Sequence, residues 1–481
     1  MGAVLGPGRS YRQSFPGETA RKRGAADGKK KLKEDFDREV AREITMLIGK
    51  KAIAELDLEA IEVAARRHAL RIAARAIEQR INDDRTDYTE AVLACPCGGK
   101  ARYVGRRNKT FKSVLGDLVL CRAYYCCKAC GNGVYPRDKK LGLEQTSLTP
   151  ALLRMVGLSA ALVSFQESSE LLQSLAGVPV DPKQVERTAE ALGRDIEHDE
   201  STVVTAEAPS APTMYLGMDG TGIPMRKKDL EGRPGKQNDG SSKTREVKLV
   251  TVWTAEGRDK DGIPVRDQGS ISYSAAIESA ACKDTDQAPP AFAQRVLREA
   301  CRRGFDRATR SVILGDGAKW IWNLADEHFP DATQIVDLFH AKQNLSTVAK
   351  AIFGAGSDLS TQWAALRHDE LDAGKIPELL AALRVHSNNN EDARKCLDYF
   401  NRNRLRLRYP EFRAMGLCVS SGVVEAGCKV AIGTRLKRAG MHWSLRGANA
   451  IIALRTCKLS GRLEDYWQRR ADRASLEQAA A

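Results

Sequence analysis

Apolar positions along this chain recur with two different periods, and the change of period marks its organisation. Over 34–82 the spacing is helical. Phe36, Val40, Ile44 and Leu47 follow at steps of four, four and three, and Leu70, Ala73, Ile77 and Ile81 resume it after a break near Gly49. Plain helical packing explains this segment, and oligomerisation is a second use for the same face. Residues 164–193 repeat the helical period in two halves around the turn "AGVPV". Asp181 is a natural N-cap and Pro182 suits the first helical position. This is a helix-turn-helix shape, whose second helix either enters a major groove or simply packs.

After "TVVTAEAPSAP" (202–212), a linker by composition, the period shortens. "TMYLGMDG" reads as a strand ending on Asp219, "TREVKLVTVWTA" (244–255) as a second and "SISYSAAI" (270–277) as a third. "PAFAQRVLREACRRG" is helical. "SVILGD" is a fourth strand ending on Asp316, followed by the helix "KWIWNLADEHF". "TQIVDLFH" is the fifth strand, running into "AKQNLSTVAKAIFG". A charged helical region reaches about residue 415, and "SSGVVEAGCKVAIGTRL" is a late helix capped by Ser420 or Ser421. The order β-β-β-α-β-α-β-α predicts an α/β layer on a mixed sheet with a helical insertion, the ribonuclease-H-like arrangement.

That order gives three acids a purpose. Asp219 and Asp316 end the first and fourth strands, which are neighbours in such a sheet. Glu425 lies in the first turns of the helix that crosses them. Three carboxylates in one cleft repel one another and persist most easily around divalent cations. Hard oxygen ligands suit Mg²⁺ or Mn²⁺, and two such ions serve phosphodiester cleavage. A single strand-Asp-Gly would ordinarily be a solvated turn. Asp337 and His340, three apart at a helix start, are placed to position a phosphate or support the metal site, or to cap local structure. Trp320 and Trp322 read as core.

Composition adds a partner. The 481 residues carry 42% hydrophobic and 29% charged side chains, an ordinary globular balance, with a formal charge of +14. That excess points to a polyanion, most simply nucleic acid. "RKRGAADGKKKLK" (21–33) is densely basic. "NRNRLRLRYPEFR" (401–413) and "TRLKRAGMHWSLR" (434–446) interleave cations with aromatics, as phosphate contacts plus stacking require. In the second, Arg435, Lys437, Arg438, His442, Trp443 and Arg446 are the candidate DNA contacts. No window approaches a membrane span, and the N-terminus lacks the order of a secretion signal. A cytoplasmic protein is expected.

Six of the twelve cysteines fall between Cys95 and Cys130. Cys127-x-x-Cys130 followed by Gly131 is a zinc knuckle, and Cys95-Pro-Cys97 is a tighter pair. Together they supply four thiolates for a structural zinc ribbon, with Cys121 or Cys126 as substitutes in the weaker half.

The segments "YLGMDGTGIPM", "VILGDGAKWIWNLADEHFPDATQIVDLFHA" and "SSGVVEAGCKVAIGTRLKRAGMHWSLRGANAIIALR" closely resemble bacterial insertion-sequence transposases of the ISKra-four family, DDE enzymes related to the Mutator-like group. The resemblance runs from the cysteine block to about residue 457. It implies a DDE triad of Asp219, Asp316 and Glu425 holding two Mg²⁺ (or Mn²⁺) ions, and a Mutator-type Asp337-x-x-His340 motif. It implies cutting of double-stranded DNA at terminal inverted repeats and joining to target DNA. A homodimer or larger synaptic assembly in a bacterial, nucleoid-associated setting follows from joining two ends. The cysteine block resembles the family's zinc-ribbon-like block, with CxC where CxxC is expected.

The chain thus reads as a flexible basic arm (1–33), a helical region (34–90), a zinc-ribbon-like block (91–145) and a helix-turn-helix-like DNA-binding region (146–200). A catalytic domain follows in two parts (213–355 and 416–470), split by a helical insertion (356–415). The competing readings are a metal-dependent nuclease or resolvase of the same fold, and a domesticated DNA-binding protein without catalysis. Loss of an acid would favour the last, and all three acids are present.

Overall fold

A computed structural model describes residues 34–46, 57–144, 146–202, 211–233, 235, 242–281, 288–420 and 422–479. The basic arm expected over 1–33 and the break near Gly49 lie outside the described residues. The chain forms two compact units. The first runs to Met155 and includes Leu171–Val180 and the stretch from Ala474. The second comprises Val156–Glu170 and Asp181–Arg473.

In the first unit, helices α1 (34–46) and α2 (Leu58–Asp83) are tied by the Arg75–Glu39 ion pair at 3.0 Å and by His68 against Glu43. A β-meander follows: β1 (Val92–Ala94), β2 (Lys100–Ser113), β3 (Gly116–Cys127) and β4 (Gly133–Val134), antiparallel neighbours in chain order. Helix α3 (Pro136–Leu141) closes it. An open strand edge is a liability, and α2 covers the outer edge of β3. Glu78 accepts the Val119 N–H and Asn82 accepts the Cys121 N–H, both at 2.8 Å, while Asn82 donates to the Val119 carbonyl. Phe111, Leu118 and Leu120 bury behind this edge with Ala74 and Leu143.

The chain passes to the second unit within α4 (Pro150–Leu162) and continues through α5 (Phe165–Leu171); the π-helical end Leu172–Ala176 belongs to the first unit, and α6 (Pro182–Thr202) to the second. Asp181 accepts the Lys183 N–H at 2.8 Å, the expected cap with Pro182 behind it. Val185, Ala189, Leu192 and Ile196 line one buried face of α6.

The sheet of this unit is built from β5 (Thr213–Pro224), β6 (Thr244–Thr254), β9 (Ser272–Ala276), β10 (Arg310–Gly315) and β11 (Thr333–Val336). A small hairpin of β7 (Gly257–Arg258) and β8 (Pro264–Val265), which the sequence pattern does not reveal, precedes β9. The order is β11-β10-β5-β6-β9. β10 and β11 run parallel to β5, while β6 and β9 alternate antiparallel. The first and fourth strands of the sheet are therefore neighbours, as expected.

Helices α7 (Ala291–Arg303), α8 (Lys319–His328) and α9 (Leu338–Phe353) follow their strands. Four helices then form the insertion: α10 (Asp358–Asp372), α11 (Ile376–Ser387), α12 (Glu391–Asn403) and α13 (Tyr409–Ala414). One core joins insertion to sheet. Tyr409 and Phe412 are buried in it with Trp322, and the Tyr409 hydroxyl donates to the Val336 carbonyl at 2.9 Å. These two aromatics of the 401–413 segment are core residues, so the expected stacking role falls away.

The late helix is interrupted: α14 (Gly422–Gly427), a π-helical segment Cys428–Gly433, and α15 (Thr434–Leu436). Its candidate cap Ser421 lies outside the described residues. α16 (Leu445–Leu459) and α17 (Leu463–Ala479) end the chain's helices. α6 lies so close to α16 that a Cβ on Gly193 would stand 1.9 Å from the Ala450 carbonyl oxygen. Backbone cannot yield as a side chain can, so Gly193→Ala should cost about 2 kcal/mol or more. A melting temperature lower by roughly 4–8 °C is expected. An unchanged melting temperature would contradict this packing.

Candidate active site and thiolate centre

Parallel pairing puts the acids in line. Gly315 on β10 is in register with Met218 on β5, and with Val336 on β11. Asp316, the next residue, therefore stands beside Asp219 on one side and Asp337 on the other. The strands are about 4.8 Å apart. The Asp337 N–H donates to the Gly315 carbonyl at 2.8 Å, which carries the register one step past the strand ends. Three adjacent parallel strands thus present an aspartate at the same level.

Two expectations need correction. Asp219 does not end its strand: β5 continues to Pro224, paired with β6 down to Thr244. Asp219 marks where its parallel neighbour β10 stops. The fifth strand does not reach His340. It ends at Val336, and Asp337 is the N-cap of α9, accepting the His340 N–H at 2.8 Å.

The helix that carries Glu425 lies across β5. A Cβ at Gly217 would stand 2.1 Å from Val424 Cγ2, so only glycine lets α14 lie on β5. A Cβ at Gly427 would stand 3.1 Å from Leu249 and 3.2 Å from Thr251 of β6. Gly217 and Asp219 share a face of the strand. Along the helix, Val424 covers Gly217 and the Cys428 thiol hydrogen-bonds Asp219. Glu425 is exposed and sits one turn before Cys428 on that helix. The Leu338 N–H donates to the Val419 carbonyl at 3.0 Å, tying the start of α9 to the approach to α14.

The electrostatics match a cleft of unbalanced negative charge. Burial pushes the Asp219 carboxyl above its ordinary range and the charge of Asp316 adds to it, while the Cys428 thiol, the Gly220 N–H and His340 oppose. His340 is shifted upwards as well. Its hydrogen bond from Nδ1 to Asp337 raises its affinity for a proton, burial opposes, and the fields of Asp337, Asp316 and Asp219 assist. A divalent cation would relieve the mutual repulsion of the carboxylates. Among the described residues, Asp219, Asp316 and Glu425 do not form a group of three ligand atoms within 4.8 Å of one another, as the cysteines of the first unit do.

Two contacts here have no clear sequence signal. The Tyr399 hydroxyl of α12 donates to the Asp316 carbonyl at 3.0 Å, and its ring fills the space a side chain on Gly317 would need. Cys428 is traceable only in hindsight, three residues after Glu425.

The basic segment divides. Arg435 is fully buried, donates to the Ala160 carbonyl at 3.0 Å and stacks its guanidinium against Phe165 and Trp443. Trp443 is buried too, with its ring N–H on the Leu436 carbonyl. Both are structural, which corrects their assignment as DNA contacts. Arg438 pairs with Glu167, and Lys437 donates to the Thr221 hydroxyl. Lys437, Arg438, His442 and Arg446 remain exposed.

In the first unit the four expected cysteines converge. The sulfurs of Cys95, Cys97, Cys127 and Cys130 all lie within 4.8 Å of one another. Cys95 to Cys130 and Cys97 to Cys127 are each 3.7 Å. Four thiolates around a tetrahedral Zn²⁺ at about 2.3 Å would be roughly 3.8 Å apart, so the set fits zinc, and the CxC pair serves as well as CxxC. Backbone N–H groups of Cys130 and Ala129 point at Cys127 and, against burial, bring its thiol down to about 7. Gly99 leaves room for two sulfurs: a Cβ there would lie 3.1 Å from Cys127 and 3.3 Å from Cys97. Cys121 sits on β3 opposite Asn108, outside the cluster, as does Cys126.

Comparison with known families matches residues 98–470 to the model described as an uncharacterised protein family, UPF0236. The chain belongs to UPF0236. A search of curated proteins found no match. Among solved structures, a chain of the Drosophila P element transposase strand transfer complex aligns with 70% of this UPF0236 chain and 84% of its own length. The identity is 10% and the TM-score 0.24, too low to bear on the argument. Among the described residues, no helix is long and apolar enough to cross a membrane.

Protein purified under reducing conditions is expected to carry zinc in a ratio of one per chain by elemental analysis. Cys97→Ser/Cys130→Ser should lose it and melt at lower temperature. Zinc-free wild type with unchanged stability would contradict a thiolate centre.

Proposed function

We propose that this chain is a DDE transposase of the ISKra-four type, related to the Mutator-like group, on a ribonuclease-H-like catalytic domain. The supporting observation is the line of Asp219, Asp316 and Asp337 at one level of three parallel strands, crossed by the helix that carries Glu425. The strand order and the +14 charge fit the same reading.

Asp219, Asp316 and Glu425 would hold two divalent ions, Mg²⁺ or Mn²⁺. Such a pair, when bound, activates a water or 3′-hydroxyl and stabilises the leaving oxygen of a phosphodiester. The chain's own groups orient the rest. The Cys428 thiol donates to Asp219 and fixes its rotation. Asp337 holds His340 by Nδ1 and favours the imidazolium, a cation suited to positioning the scissile phosphate. Tyr399 fixes the backbone of Asp316.

Its substrates would be duplex DNA at the element's terminal inverted repeats and target DNA. Two ends must meet, so a dimer or larger assembly would act, in the bacterial cytoplasm at the nucleoid. The thiolate centre would hold a structural zinc.

The test is cleavage of labelled duplexes bearing the DNA ends that flank the coding sequence, with Mg²⁺ or Mn²⁺. Wild type should cut at the end and join the freed 3′-hydroxyl to a plasmid. Asp316→Asn should bind the duplex and lose cutting on the order of 10³-fold, since the charge removed is worth several kcal/mol. His340→Ala should lose roughly 10-fold to 100-fold. Cutting without joining would indicate a nuclease or resolvase. Equal cutting by wild type and Asp316→Asn would overturn the triad.

A further inference from the structure

The part of β5 beyond Asp219 is not needed to hold the carboxylates. Pro224 lies five residues beyond Asp219, about 17 Å of extended strand. Over that length β5 stays paired with β6, from Asp219 opposite Leu249 to Pro224 opposite Thr244, and beyond Lys248, where β9 stops, the pair is a two-stranded ribbon.

The ribbon leads to an open trough of about 1400 Å³ whose lining includes Arg226, Lys227, Lys228, Arg233, Lys243 and His442. Among the described residues, the same wall carries one carboxylate, Glu231. All five lysines and arginines are exposed. Arg226 lies 3.9 Å from Glu186. Among the described residues, Lys227, Lys228, Arg233 and Lys243 have no carboxylate at ion-pair distance. Crowding is felt inside the ribbon as well: burial and then the charge of Arg233 pull the Arg245 guanidinium below its ordinary value.

The trough is also braced. Met225 bridges to Trp443, the Trp443 N–H donates to the Pro224 carbonyl at 3.1 Å, and the Arg226 N–H donates to the Trp443 carbonyl at 2.8 Å. Asp229 caps from the other side, accepting the Leu445 N–H. The burial of Trp443, which removes it from the DNA-contact set, is what anchors this wall. Repelling cations held on a fixed frame cost stability unless an anion neutralises them. The spacing suits a regular polyanion: duplex DNA carries one charge per about 1.7 Å of axis, so the roughly 17 Å of β5 from Asp219 to Pro224 spans about five base pairs.

We propose that the trough at the end of the β5–β6 ribbon is a DNA-binding surface that grips the phosphate backbone of the duplex leading away from Asp219 and Asp316. This rests on the reading of those acids as a DNA-cutting centre and gives that centre its track. The contacts are with phosphates, so binding here is independent of base sequence.

The test uses the full chain and a random-sequence DNA duplex, with binding followed by fluorescence anisotropy across a salt series. The variant is Lys227→Ala/Lys228→Ala/Arg233→Ala/Lys243→Ala. Its log–log salt slope should fall by about three to four and its affinity by on the order of 10-fold to 100-fold. Removing two cations from the insertion, in Arg394→Ala/Lys395→Ala, should leave the slope unchanged. If the four-fold variant does not fold, Lys227→Ala/Lys228→Ala should lower the slope by about two. An unchanged slope in a folded trough variant overturns the proposal, as does a wild type that fails to bind the duplex or a loss matched by the insertion control. Failure of the catalytic reading shows differently: wild type would bind with the full slope and never cut with Mn²⁺.

Discussion

The absence of a side chain at Gly217 is the constraint on which the candidate site depends. With Val424 Cγ2 only 2.1 Å from where a Cβ would be, α14 can lie on β5 only because that position is glycine. The close approach brings Cys428 onto Asp219, one turn along the helix from Glu425. Parallel pairing then supplies the other half of the arrangement, because register between β5, β10 and β11 lines up Asp219, Asp316 and Asp337. Each carboxylate is placed by backbone: a strand, a strand end, a helix cap, a helix lying on glycine. Burial of Asp219 raises its affinity for a proton, and the charge of Asp316 adds to it.

Much of this was legible in the sequence, and the failures have physical causes. Strand and helix periods located the sheet and its order, because β-branched runs such as "VKLVTVWT" and helical faces such as that of α6 are strong local signals. The three acids stood out because glycine or a helix start flanks each. The end of β5 was missed because Gly220 and Gly222 look like a turn, whereas both lie within the ribbon, where Glu246 and Thr244 of β6 fill the space beside them. The start of α9 was placed late because "VDLFH" carries strand-forming residues, while the cap bond from Asp337 to the His340 N–H decides for helix. Such a bond depends on where β11 ends, which is set by its pairing with β10.

The basic segment shows the limit of composition. Arg435, Lys437, Arg438, His442, Trp443 and Arg446 look alike in a list of charges and rings. Packing separates them: Arg435 is enclosed by Phe165 and Trp443, while His442 and Arg446 face outwards. The cysteines, by contrast, were legible almost completely. Ligand type and knuckle glycines are local, and only the convergence of the two pairs needed the β-meander.

The central claim is that Asp219 and Asp316 form a divalent-cation site, and metal binding tests it without DNA. Titration of Mn²⁺ into the full chain, followed by electron paramagnetic resonance of the free ion, should reveal binding that Asp219→Asn and Asp316→Asn each weaken strongly and Asp372→Asn does not. Binding of Mn²⁺ by Asp219→Asn/Asp316→Asn as tightly as by wild type would contradict the account.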